Sequence, residues 1–430
     1  MLYTVSEVTQ FIEENDVKFI RLAFCDLLGK QKNISIMPSE LQKAFDHGIR
    51  FDTSAVEGFA SCGANDLVLL PDPSTLSILP WRPSHGRVVR FFCDIKYEDG
   101  RPYEGDCRNL MRNAASQLEQ LGYRCKIGTQ CEFYLFELDE HGNPTRTPQD
   151  QAGYGDIAPK DKGENVRRAI CLTLEEMGMQ PESSHHERGP GQNEIDFKHS
   201  DALTAADHFL AFKGVVKTVA AQNGLYASFM PKPFYDKSGS GLHIHFSLHR
   251  WKPLAEGPFL TPNSLSESFA AGIMHHLRDL NLFLNPLCNS YRRFASDIPA
   301  HLAWSYENRS QIVRIKRAEE KNHRVELLSP DASVNPYLAF ALLLSAGIDG
   351  INKNLTLPPQ FDANKKDLLP TLCTSLEEAL CTAENSAFLQ DVLPDILRQE
   401  YLSIKRRELA ALKSSADQDA FELGTYFMHE

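Results

Sequence analysis

Residues 182–197 read E-S-S-H-H-E-R-G-P-G-Q-N-E-I-D-F. Three glutamates (Glu182, Glu187, Glu194) and two imidazoles (His185, His186) flank a Gly-Pro-Gly turn. Carboxylates gathered on both arms of a tight turn repel one another unless a cation sits among them, so the economical reading is a divalent-metal site. The plainer alternative is an acidic hairpin that faces water.

Upstream, a helix over 165–179 delivers the chain to this turn, and before it Lys126–Phe136 reads as a strand. Its alternation sends Gln130, Glu132, Tyr134 and Phe136 to one face and Cys131, Phe133 and Leu135 to the other. A charge such as Glu132 inside so apolar a strand needs a partner. Downstream, S-G-S-G-L-H-I-H-F-S-L-H over 238–249 alternates strictly. Leu242, Ile244, Phe246 and Leu248 form a core face, and His243, His245, Ser247 and His249 form a polar one. A single histidine there would be a satisfied core or surface residue; three in register after a glycine turn favour a ligand- or metal-binding face. Basic residues then concentrate over 292–324, with Arg292, Arg293, Arg309 and Arg314 suited to clamp an anionic substrate and a transferring phosphoryl group. Their alternative is a salt-bridged surface.

At 430 residues and a net charge of −12, the chain has ample core material and an acid surplus that argues against nucleic-acid or anionic-membrane partners. The richest apolar run, Tyr337–Ala346, is about half a membrane span, and no secretory signal opens the chain, so the expectation is a cytoplasmic protein. Ten cysteines without a C-x-x-C pair read as reduced, mostly buried thiols. The N-terminal part reads as a capped helix from Thr4, a β-hairpin over 17–36 and an irregular functional loop over 51–75. Segments 80–83 and 97–106 read as a hinge, which divides the chain into units of residues 1–104 and 105–430.

Taken in order, Phe51-Asp52, Asn65-Asp66 to Asp72, G-x-x-x-E-F-Y-L-F at 128–136, Tyr154, H-H-E and G-Q-N-E at 185–194, and M-P-K-P at 230–233 lead to G-S-G-L-H-I-H, N-S-Y-R-R, E-N-R-S, R-V-E, P-D and N-P-Y-L. This succession resembles the glutamine synthetase family over essentially the whole chain, with a length like the bacterial type I branch. The resemblance implies an α+β fold: a small N-terminal β-grasp domain, then a larger catalytic α/β domain. It implies a homo-oligomer of stacked hexameric rings, a dodecamer, with active sites between subunits. It also implies ATP and two Mg²⁺ or Mn²⁺ ions, one held by Glu132, Glu187 and Glu194 and the other by Gln130, His243 and Glu326.

By motif position Arg293, Gly239, Tyr154 and Asn193 would contact the acid and amine. Glu182, Ser247, His245, Arg314 and Arg324 would lie along the nucleotide, and Asp52, Arg309 and Asp297 would act in catalysis. The activity implied is ATP-dependent condensation of a carboxylate, the γ-carboxylate of glutamate, with ammonia or a small primary amine through an acyl phosphate. The chain departs from the family pattern inside the site. Gln130 replaces a metal glutamate and weakens the second ion, Leu328 replaces an arginine, Ser238 an asparagine and Ala55 a serine. The F-A-S-D-I-P loop is short, so that Asp297 matches the flap glutamate only across a gap. A lost cation at a developing anion costs about 3 kcal/mol if uncompensated. Gln130 and Leu328 motivate a second reading, an impaired or regulatory homologue that binds nucleotide or amino acid without ligation; a third, a metal-dependent hydrolase, would explain the His/Glu clusters but not the arginines.

Overall fold

The computed structural model of the chain describes residues 4–59, 67–82, 85–251, 262–295, 297–306, 308, 311–316 and 324–428. Helix α1 (Val5–Glu14) opens with the expected capping box, Thr4 and Glu7 satisfying each other's backbone N–H groups. Strands β1 (Val17–Cys25) and β2 (Gln31–Ile36) form the expected antiparallel hairpin, in register from Ile20 opposite Ile36 to Cys25 opposite Gln31. Helix α2 (Leu41–His47), β3 (Ile49–Phe51), β4 (Leu67–Pro71), β5 (Ser77–Ile78) and β6 (Arg87–Tyr97) complete the unit. The sheet runs β2-β1-β6-β4-β3, with β1 and β6 parallel at its centre. Val8, Ile12, Leu41 and Ala44 from the two helices join Ile20, Leu22 and Phe91 in one core.

Two expectations change here. The stretch 51–75, read as irregular, contains β4, and β6 was not foreseen at all. Both strands are buried along most of their length, so their apolar runs do not alternate and lack the half-exposed pattern by which a strand is recognised. The segment read as a hinge is pinned instead: Tyr103 N–H donates to Ile95 O at 3.0 Å, and the buried Asp106 accepts from Ile95 N–H at 3.0 Å and caps the next helix. Just beyond it, the buried Arg108 donates to Asp72, Asp94 and Asp207, tying the first unit to the second.

The second unit contains α3 (Cys107–Gln120), β7 (Tyr123–Leu138), β8 (Pro144–Pro148), α4 (Glu164–Glu176), β9 (Pro181–His186), β10 (Gln192–Phe197) and β11 (Ser200–Asp201). It continues with α5 (Ala202–Gln222), β12 (Leu225–Ser228), β13 (Leu242–Arg250), α6 (Pro262–Leu284), β14 (Trp304–Tyr306), β15 (Val313–Lys316), β16 (Arg324–Leu327) and α7 (Pro336–Asn352). Its sheet runs β14-β15-β16-β13-β7-β10-β9, the 16-residue β7 also pairing β8, β11 and β12.

Helices α3, α5 and α6 pack against this sheet, and α7 packs in turn on all three. Helix α7 starts at the Asn335 cap and Pro336, as its sequence suggests, and is buried nearly all round. Its contact with α6 needs glycine: a Cβ at Gly272 would lie 2.2 Å from Ala346 O. Among the described residues no helix is long and apolar enough to cross a membrane.

Candidate active site

The acidic turn is a hairpin of β9 and β10, and β10 lies antiparallel to β7. The register puts Glu194 directly opposite Glu132, Asp196 opposite Gln130, and His185 opposite Glu194 on the far side. Glycine is needed at the turn because a Cβ at Gly189 would fall 2.0 Å from the Tyr134 hydroxyl. Ligand atoms of His185, Glu187 and Glu194 all lie within 4.8 Å of one another. Glu132 joins them from β7, its Oε2 accepting from Gly241 N–H at 2.8 Å and from the Gln192 amide at 3.2 Å.

Burial and the neighbouring carboxylate of Glu187 push Glu132 up to about 7, against the pull of Gly241 N–H. Burial and the charges of Glu132 and Asp196 push Glu194 higher still. Glu187 Oε2 and Asp196 Oδ1 are buried without a hydrogen-bond partner. Packed acids with orphaned oxygens beside one imidazole fit a hard divalent cation with oxygen preference, Mg²⁺ or Mn²⁺.

One step across the sheet, β13 sets His243 opposite Gln130, while β16 sets Glu326 between His245 and Arg314. Gln130 Oε1 is 2.9 Å from His245 Nε2, and His243 Nδ1 is 3.7 Å from Glu326 Oε1. The other oxygen of Glu326 accepts from the Arg314 guanidinium. Burial pushes both imidazoles below their ordinary pKa, which keeps them neutral. This second group is therefore less negative than the first, since Glu326 is already paired with an arginine.

Arg293 closes the other side. It comes from the 3₁₀ run Cys288–Ala295, is buried, and donates through Nη1 to the carbonyls of Ser329 and Pro330 at 3.2 and 3.1 Å. Its Nε is buried without a partner. The backbone approaches closely here: a Cβ at Gly239 would meet Pro231 O at 2.7 Å and Asp297 Oδ2 at 2.9 Å, and one at Gly241 would meet Arg293 Nη2 at 2.9 Å. Asp297 pairs with the buried Lys232 at 2.6 Å.

The remaining candidates are spread more widely. Ser247 is buried and 3.2 Å from His249, and Arg324 is half-buried at the start of β16. Glu182 is exposed where β9 bulges, since Asp196 faces Ser183 while Phe197 faces Pro181. Tyr154 is exposed, its ring edge-on to His185 at 5.1 Å. Asn193 is fully buried, donating to Gly191 O and accepting from Arg167. Asp52 lies in the first unit, where its carboxylate accepts from the backbone and hydroxyl of Ser54. Arg309 and the Asn65-Asp66 pair lie outside the described residues.

Three arrangements in the site could not be read from the sequence. His199 stacks over Gly128, where a Cβ would come within 2.6 Å of its ring, and lies 6.1 Å from His245. A cavity of about 250 Å³ opens beside it, lined by Lys126, Thr129, Gln180 and His208. Behind the hairpin, His186 bonds Asp150 at 3.0 Å, and Arg167 bonds Asp161 and Asn193, a buried lattice that holds the Gly-Pro-Gly turn. The Lys232–Asp297 pair is the third.

Residues 16–98 match the glutamine synthetase β-grasp domain, and residues 104–424 match the glutamine synthetase catalytic domain. The chain is 42% identical over 420 residues to a glutamine synthetase of Clostridium saccharobutylicum, covering 94% of this chain and 95% of that one. It is 40% identical over 420 residues to a glutamine synthetase of Methanosarcina mazei, covering 94% of each. Among solved structures it is similar to GmaS without ligand, with a TM-score of 0.85 at 29% identity over 98% of this chain and 99% of that one. The GmaS/ADP complex gives the same TM-score at 28% identity, over 99% of each chain. The chain belongs to the glutamine synthetase family and is an ATP-dependent ligase of that type.

Proposed function

We propose that the chain joins the γ-carboxylate of glutamate to ammonia or a small primary amine, with ATP activating the acid as an acyl phosphate. The observation that carries this reading is the convergence of the Glu132–Glu187–Glu194 cluster and Arg293 on Gly241, whose N–H donates to Glu132 Oε2 at 2.8 Å and where a Cβ would lie 2.9 Å from Arg293 Nη2. One group suits cations that would accompany a polyphosphate, and the other suits a carboxylate.

In this reading Glu132, Glu187 and Glu194 hold one divalent ion and His243 and Glu326 face a second, with Gln130 contributing no charge. Such ions, when bound, neutralise phosphate charge. Arg293 holds the acid by its α-carboxylate over Gly239, with Asn193 supporting that wall. Glu182, His245, Ser247, Arg314 and Arg324 border the nucleotide, and Arg309 faces the phosphoryl group. Tyr154 and Asp52 border the amine, and Asp297 takes its proton. The exposed Asp52, bonded within its own turn, would reach a neighbouring copy's site. The assembly proposed is a homo-oligomer of stacked hexameric rings, with each chain divided at 104/105.

The test is ADP release by the purified chain with ATP, Mg²⁺ or Mn²⁺, glutamate and a panel of amines. Release that requires both acid and amine is the expected result. Nucleotide binding without release for any pair would overturn the reading.

A further inference from the structure

We infer that Lys232 is a positioning residue for the amine-dependent half of the reaction: it holds the Asp297 carboxylate in place at the floor of the site. This rests on the ligase reading above and on the role given there to Asp297.

The M-P-K-P and N-S-Y-R-R segments are locked together. The buried Asn289 amide accepts from Lys232 N–H at 2.6 Å and donates to Lys232 O at 3.1 Å, so the lysine backbone is held from both sides. That fixes where the side chain points. Its ammonium, on a side chain only 3% exposed, donates to Lys237 O at 2.6 Å and to Asp297 Oδ2 at 2.6 Å. A buried ammonium requires such partners, which makes the pair rigid rather than incidental.

Asp297 is held at its other end too, its N–H donating to Arg293 O at 2.8 Å. The carboxylate therefore sits beside Gly239 and the Arg293 side chain. The lysine thereby fixes the carboxylate beside Gly239.

In the step this serves, the amine nitrogen attacks the acyl-phosphate carbonyl, the bond from carbon to the phosphate oxygen breaks, and phosphate leaves. The nucleophile arrives as an ammonium and gives one proton to Asp297 before it attacks, and the proton left over on nitrogen afterwards departs with the phosphate. Hydroxylamine is neutral near pH 7.5 and needs little help from a base, so it separates this step from acyl-phosphate formation.

The experiment compares turnover with ammonia or an alkylamine against hydroxamate formation with hydroxylamine, using K232M, K232R and D297N in the full-length protein. The expected result is that K232M loses roughly 10-fold or more of amine turnover in kcat. Hydroxamate formation and the KM for the acid stay within about 3-fold, and K232R restores part of the loss. D297N gives the same selective loss and covers the case in which K232M does not fold. K232M/D297N is no worse than D297N alone. Equal losses with both nucleophiles, an unchanged K232M or additive single effects would overturn the inference while leaving the ligase reading intact. Absence of turnover with every nucleophile in the unsubstituted protein would instead remove the ligase reading itself.

Discussion

Glu194 of β10 and Glu132 of β7 are direct cross-strand partners, a buried and a half-buried carboxylate facing each other across an antiparallel ladder. Like charges in that position destabilise a sheet unless a counter-ion is present. In Glu194→Gln, the protein without added metal should melt at a higher temperature than the parent, and its affinity for Mn²⁺ should fall by roughly 10-fold or more. Calorimetric titration and melting curves with and without Mn²⁺ check both halves. A destabilised variant with unchanged affinity would mean that the pair is structural.

The pH dependence follows from the same pair. Burial and Glu187 raise Glu132 from the ordinary 4.5 to about 7, so between those values the native state without metal holds a proton that the unfolded chain has released. That contribution to stability is complete below pH 4.5 and is lost as pH rises through about 7. Protons and cation compete for the same oxygens. The rise in melting temperature produced by Mg²⁺ should therefore be larger at pH 8 than at pH 6, which a matched pair of melting series measures.

Arg293 uses Nη1 on two carbonyls and keeps Nε buried and unpartnered. A lysine supplies a point charge without the planar fork, so Arg293→Lys should raise the KM for the acid by roughly 10-fold or more. The KM for ATP should change far less. A variant with both constants unchanged would remove Arg293 from the acid site.

Gln130 faces His243 and touches His245, in a group whose Glu326 is paired with Arg314. Restoring a charge with Gln130→Glu should increase the number of Mn²⁺ ions bound per chain in the absence of nucleotide. Electron paramagnetic resonance of free Mn²⁺ counts them. An unchanged count would show that Gln130 does not limit the second position.

The α+β fold and its two units were legible in the succession of motifs. Strands β7 and β13 alternate apolar residues with polar ones, so their pattern exposes both the strand and its polar side. Strands β4 and β6 are buried along most of their length and carry no such mark. Register between distant strands was not legible either: Arg314 and Glu326 read as separate ligands of nucleotide and metal, yet they face each other across β15 and β16. His199 is a lone histidine with nothing local to distinguish it, and only the bare backbone of Gly128 makes room for its ring. Lys232 is one basic residue in a proline-rich turn, and its significance depends on Asp297, 65 positions away.

The central claim is that the carboxylate cluster and Arg293 bring the acid's carboxylate to the terminal phosphate of ATP. Glutamate carrying ¹⁸O in its γ-carboxylate, turned over with ATP and an amine, tests it most directly, with the released phosphate read by mass spectrometry. The account predicts one labelled oxygen in each phosphate released. Unlabelled phosphate, or label only from ¹⁸O-water, would contradict it.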